Sequence, residues 1–296
     1  MSLLGIAGLD PAVLQEMLAT AAAVKADPDS YRKALSGRSI GLFFQKQSLR
    51  TWVSCDVAAI QLGIHPIAIR NEQTGLGSRE TPEDVGRVLE RYLDLLGMRV
   101  FDHGDLEAID AVTTMPLVNL LSDREHPCQA IADLMTLAEH RPLPGATVAF
   151  LGDGNNVCHS LMLATVKAGG AIRIATPPGY EPDEMLVDEA RAFGEVILTD
   201  DPEAAVLGAD AVYTDVWASM GQEEEASLRR RHFARFQVND ALMQAAGPDA
   251  IFLHCLPAHR GEEVTESVMN SERSRIFDQA ENRLHAFKAV LLQLLG

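Results

Sequence analysis

The chain has 296 residues, 47% of them apolar, enough for one large or two ordinary α/β domains with a sizeable core. Its 25 basic and 42 acidic side chains leave a net charge of −17, which argues against a nucleic-acid partner but permits a local arginine cluster for a small anion. Four widely spaced cysteines (Cys55, Cys128, Cys158, Cys255) without a CxxC pair, an N-terminus lacking the marks of a signal peptide and no run approaching a membrane span point to a cytoplasmic chain with no membrane partner.

In chain order, "SIGLFF" reads as a strand that runs into "QKQSLRT" and then a helix starting near Thr51. Unpaired N–H groups at a helix start attract anions. Ser48 and Thr51 add hydroxyl donors, and Arg50 adds a bidentate phosphate partner. An ordinary N-cap beside a surface arginine is the alternative. "HPIAIR" is the next strand, followed by the amphipathic stretch "TPEDVGRVLERYLDLLG". "MRVF" then places Arg99 at a strand edge, where a charge reaching the surface is the plainer reading. After the strand "PLVNLL" comes "DREHPCQAIADLMTL". Here Pro127 suits the first turn of a helix, and His126 and Gln129 lie one turn apart, so both could donate to one carbonyl oxygen. A capping histidine competes with that reading.

Two prolines and a glycine in "EHRPLPGATV" mark a break. Beyond it, "TVAFLG", "AIRIAT", "EVILTD", "AVYTD" and "IFLHCL" read as strands. Strands alternating with helices imply parallel sheets covered on both faces, with ligands at the carboxyl edge. "GDGNNVCHS" is a poor dinucleotide fingerprint, because Val157 takes the third glycine position and Thr176-Pro177 replaces a ribose-binding acid. It reads instead as a tight turn presenting Asn155 and Asn156. "DVWASMGQEEE" offers Asp215 to an ammonium, with Ser219 and Met220 in the same loop. "FLHCLPAHRG" puts Cys255 at a strand end; a buried inert thiol is the usual alternative, and His254, Cys255 and His259 are too few ligands for zinc. Arg283, in the apolar last helix, is either a surface charge or a reach into a cleft.

Taken in this order, "SLRT", "HPCQAIADLMTL", "GDGNN", "DVWASMGQEEE" and "HCLPAHRGEEV" resemble the aspartate/ornithine carbamoyltransferase family over nearly the whole chain. The last three resemble its ornithine branch. The resemblance implies an α/β fold of two doubly wound parallel-sheet domains, with the C-terminal helix crossing back to the first. Residues 1–140 plus 278–296 would bind carbamoyl phosphate and residues 141–277 ornithine. The implied reaction is carbamoyl transfer to the side-chain amine of L-ornithine, giving L-citrulline and phosphate, without metal or organic cofactor.

The implied roles follow residue by residue. Ser48, Leu49 (through its backbone), Arg50, Thr51 and Arg99 would grip carbamoyl phosphate. His126, Gln129, Thr51 and Arg283 would polarise its carbonyl. Asn156, Asp215, Ser219 and Met220 would hold ornithine. Cys255, with Asp215 and the Leu256 carbonyl, would meet the amine. Arg99, His126, Gln129, Asp215 and Cys255 form the implied catalytic set. A homotrimer, or a multiple of trimers, is implied, with Gln73 reaching into a neighbouring copy's site.

Two departures stand out. Trp52 replaces the arginine that usually follows "SxRT", and Leu49 replaces a threonine. They keep two further readings in view: a paralogue acting on another amine, and a non-catalytic binding subunit.

Overall fold

The computed structural model describes residues 1–218 and 225–296. Ser219 and Met220, expected at the amine acceptor, lie outside the described residues, as does the side chain of Gln73. The chain divides into two compact units, Met1–Ala132 with Glu281–Gly296, and Asp133–Ala280.

The first unit is built on four parallel strands, β1 (Ser39–Phe44), β2 (His65–Arg70), β3 (Leu95–Arg99) and β4 (Leu117–Leu121), in the order β2-β1-β3-β4. The apolar side chains of β1, β3 and β4 are buried because helices must cover both faces of a parallel sheet, whereas β2, at the sheet edge, is mostly exposed. β3 starts three residues before the expected "MRVF" and ends at Arg99. The preceding helix stops at Leu89 instead of continuing through "YLDLLG". Leu95, Leu96 and Met98 are all fully buried, and a strand buried on both faces carries a continuous apolar run that also satisfies a helical period.

Helix Pro11–Ala26 opens with Asp10 as N-cap and proline in its first turn. The last helix, Ile276–Leu295, returns Glu281–Gly296 to this unit, as the resemblance implied. There Asn282 accepts a 2.8 Å bond from Lys25. Strand order reverses direction between β1 and β3, which makes the carboxyl edge at that point a natural ligand crevice.

The second unit has five parallel strands, β5 (Thr147–Leu151), β6 (Ala171–Ala175), β7 (Val196–Thr199), β8 (Ala211–Thr214) and β9 (Ile251–His254), in the order β7-β6-β5-β8-β9. Ala149, Leu151, Val212 and Phe252 form part of its core. Here the reversal falls between β5 and β8. Both sheets are therefore doubly wound. Among the described residues no helix is long and apolar enough to cross a membrane.

Candidate functional site

In the first unit the helix after β1 starts at Leu49, two residues earlier than expected, with Ser48 as its N-cap. The Ser48 hydroxyl accepts from the Thr51 N–H at 3.3 Å and donates to Thr51 Oγ1 at 2.9 Å. Arg283, from the returning helix, donates to Thr51 Oγ1 at 2.5 Å. The capping and the anion-binding readings of "SLRT" therefore fall on the same hydroxyls. Thr51 is buried, Arg50 is exposed on the same turn, and the Leu49 side chain points to solvent. Arg99 closes β3 level with Phe44, the last residue of β1.

His126 is buried, and its carbonyl accepts from the Gln129 and Ala130 N–H groups, at 3.1 and 3.2 Å, as the helix Pro127–Ala138 begins. Burial first, then the positive charges of Arg283 and Arg99, hold the imidazole well below its ordinary pKa. His126 is thus a neutral hydrogen-bond donor near pH 7, next to two guanidinium groups. Gln129, one turn on, is also buried. Lys46 lies two residues before Ser48. It is half-buried, its pKa is lowered by burial and then by Arg99, and its ammonium lies 4.3 Å over the Phe101 ring. Buried neutral donors beside exposed and partly buried cations suit a small polyanion with a polarisable carbonyl.

In the second unit the turn after β5 comes close to a neighbouring loop. A Cβ on Gly154 would lie 2.2 Å from the Pro182 nitrogen, so only glycine fits. Asn155 caps the next helix, accepting from the Val157 and Cys158 N–H groups at 3.0 and 3.1 Å. Its amide donates to Asp215 Oδ2 at 3.0 Å. The other carboxylate oxygen, Asp215 Oδ1, accepts the Cys255 thiol at 3.0 Å. This bridge from Asn155 to Cys255 passes through a buried carboxylate at the point where strand order reverses. Asn156, the expected ligand, turns its own Oδ1 to the Val157 N–H at 3.0 Å.

Residues 1–139 match the family described as "Aspartate/ornithine carbamoyltransferase, carbamoyl-P binding domain", and residues 144–294 match its "Asp/Orn binding domain". The chain belongs to the aspartate/ornithine carbamoyltransferase family. An ornithine carbamoyltransferase of Thermus thermophilus is 49% identical over 295 residues, covering 99% of this chain and 96% of that protein. An anabolic ornithine carbamoyltransferase of Pyrococcus furiosus is 50% identical over 270 residues, covering 89% and 86%. A solved structure of ornithine carbamoyltransferase from P. furiosus superposes with a TM-score of 0.94 at 47% identity, covering 98% of this chain and 95% of that one.

Within this carbamoyltransferase fold the loop after β9 is held from below. His254 Nδ1 accepts the Leu256 N–H at 2.8 Å, so its proton sits on Nε2, 3.2 Å from Glu263 Oε1. The fully buried Glu263 also accepts the His259 N–H. Leu256 takes φ 59°, a left-handed conformation leucine rarely adopts, and the bond to His254 keeps it there. The His254 N–H donates to Gln279 at 2.8 Å, and Gln279 donates to Asp133 at 2.6 Å. His254 and Glu263 lie inside the quoted motif but carry no spacing signal of their own.

Among the described residues, two groups bring metal-type donor atoms within 4.8 Å of one another: Asp215–His254–Cys255 and His259–Glu262–Glu263. In the first, both His254 ring nitrogens are engaged as described. In the second, Glu262 pairs with Arg230 at 2.9 Å. Neither is a preformed cage.

Proposed function

We propose that this chain transfers the carbamoyl group of carbamoyl phosphate to the side-chain amine of L-ornithine, giving L-citrulline and phosphate. The observation that carries the reading is the Asn155–Asp215–Cys255 bridge, which presents a buried carboxylate and a thiol to a cationic amine.

An alkyl ammonium has a pKa of about 10.4 and attacks only after losing its proton. Asp215 draws the ammonium in, and the ammonium releases its first proton to solvent before it attacks. Cys255, and the carbonyl of Leu256 next to it, offer hydrogen-bond acceptors to the neutral amine in a site screened from water. The nitrogen lone pair adds to the carbamoyl carbon and negative charge builds on its oxygen. His126, Gln129, Thr51 and Arg283 donate to that oxygen, and losing one such donor costs on the order of 10²-fold. The intermediate then breaks the bond between the carbamoyl carbon and the phosphate's bridging oxygen. The nitrogen's remaining extra proton passes to the departing oxygen, so phosphate leaves as a dianion, held by Ser48, Arg50, Thr51, Arg99 and the backbone of Leu49. Asn156, Ser219 and Met220 complete the ornithine contacts. Residues 1–140 with 278–296 form the carbamoyl phosphate domain and residues 141–277 the ornithine domain in this reading.

The same reading places the enzyme in the cytoplasm, in arginine metabolism, as a homotrimer or a multiple of trimers, with Gln73 entering a neighbouring copy's site. The test is a panel of amines, ornithine, putrescine, lysine and N-acetylornithine, each with carbamoyl phosphate, scored for ureido product. Citrulline from ornithine alone supports the proposal. Product from another amine alone replaces it with a paralogue. Ligand-induced thermal stabilisation without turnover replaces it with a binding subunit.

A further inference from the structure

The carboxyl edge of the first unit carries an arginine on each side of its central strand. Phe44, the last residue of β1, is in register with Arg99 on β3 and with Arg70 on β2. Register partners project to the same face, and neighbouring strands lie about 4.8 Å apart, so the two arginines leave the sheet about 10 Å apart. They stand astride the loop that leads from β1 into Ser48. Arg99 has a role in the reading above; Arg70 has none.

Arg70 is nevertheless held in a defined place. Its guanidinium carbon lies 5.4 Å from the centroid of the Trp52 ring. That ring packs against Phe44 with centroids 6.2 Å apart and planes inclined by 37°. Trp52 directly follows Thr51, and its N–H donates to the Ser48 carbonyl at 3.0 Å. The indole is therefore built into the same helical turn as the anion-binding hydroxyls. A guanidinium held over an aromatic ring can still offer N–H groups to a phosphate oxygen pair. Trp52 also occupies the position where the family resemblance expects an arginine. The ring takes that position and carries a cation from the neighbouring strand.

We propose that Arg70, clamped on Trp52, is a further phosphate-binding residue of this chain, closing on carbamoyl phosphate from the β2 side. The inference rests on the reading that the phosphate sits on the Ser48–Thr51 turn. The experiment measures the KM for carbamoyl phosphate and, separately, for ornithine in R70M, R70K, W52A, R70M/W52A and R50M. R70M keeps the stem and removes the charge; it should raise the carbamoyl phosphate KM about tenfold and leave the ornithine KM within about twofold. W52A should raise it about threefold, and R70M/W52A should be no worse than R70M, because the ring acts through the guanidinium. R70K, charged but unable to fork, should fall between parent and R70M. If R50M raises the KM while R70M and R70K match the parent, the Arg70 inference is overturned and the phosphate turn stands. If R50M itself matches the parent, the phosphate is elsewhere and the reading beneath the inference fails.

Discussion

Replacing Asp215 by asparagine tests the amine site most sharply. The parent carboxylate accepts two hydrogen bonds, from the Asn155 amide and the Cys255 thiol, each at 3.0 Å, and is only 6% exposed. Asparagine keeps one acceptor and turns an NH₂ toward the other donor. One hydrogen bond to a charged acceptor is lost, about 1.5–3 kcal/mol, and so is the attraction for the incoming ammonium. Unit charges 4 Å apart interact by about 4 kcal/mol at an effective dielectric of 20, most of it offset by desolvation of the ammonium. A net loss of about 3 kcal/mol is therefore a conservative figure, equivalent to about two decades. Citrulline formation with carbamoyl phosphate saturating and ornithine varied should show kcat/KM for ornithine falling about 10²-fold. The affinity for carbamoyl phosphate, whose assigned groups all lie in the first unit, should change less than about twofold. A D215N enzyme within about threefold of the parent on ornithine would refute the reasoning.

Thr51→Val leaves the buried Arg283 guanidinium without its hydroxyl acceptor, so it should lower stability by about 1–3 kcal/mol and raise the carbamoyl phosphate KM, as thermal melts and initial rates will show. His126→Gln should flatten the acid limb of the stability curve. A histidine whose folded pKa lies below its unfolded value near 6.5 contributes stability that is present above that value and lost as pH falls beneath it. Melting at pH 7.5 and 5.5 should then show a smaller drop for the variant than for the parent, the difference being up to about 1.4 kcal/mol per pH unit. Cys255→Ala should lower turnover and move its pH dependence upward, since an acceptor for the neutral amine is gone; an unchanged pH–rate profile would remove the thiol from the mechanism.

Much of the fold was legible because buried parallel strands are short apolar runs bounded by turn residues. All nine expected strands are found, most ending a residue or two before the quoted segment. The start of β3 is not legible because Leu95 and Leu96 continue the period of the preceding helix, and only packing decides between the two. The "SLRT" turn was legible as a helix start, but its capping by Ser48 put that start two residues earlier. Of the paired asparagines, Asn155 caps the helix and bonds Asp215, an arrangement invisible to spacing. Arg70 carries no sequence signal for a related reason. It lies twenty residues from Arg50 in sequence, and only sheet register brings it level with Phe44. Glu263 was hidden because an acidic pair in a loop reads as solvated surface until burial shows otherwise.

The proposed reaction requires the cationic turn of the first unit and the Asp215–Cys255 pair of the second to act on one pair of substrates. A single molecule joining a phosphonate to the side-chain nitrogen of ornithine through an acetyl bridge tests it by calorimetry. The account predicts a Kd at least about 100-fold below that of either half alone, through the effective concentration a short tether creates. It also predicts that R50M and D215N each weaken that binding. Affinity no better than the tighter half, or sensitivity to only one of the two substitutions, would contradict it.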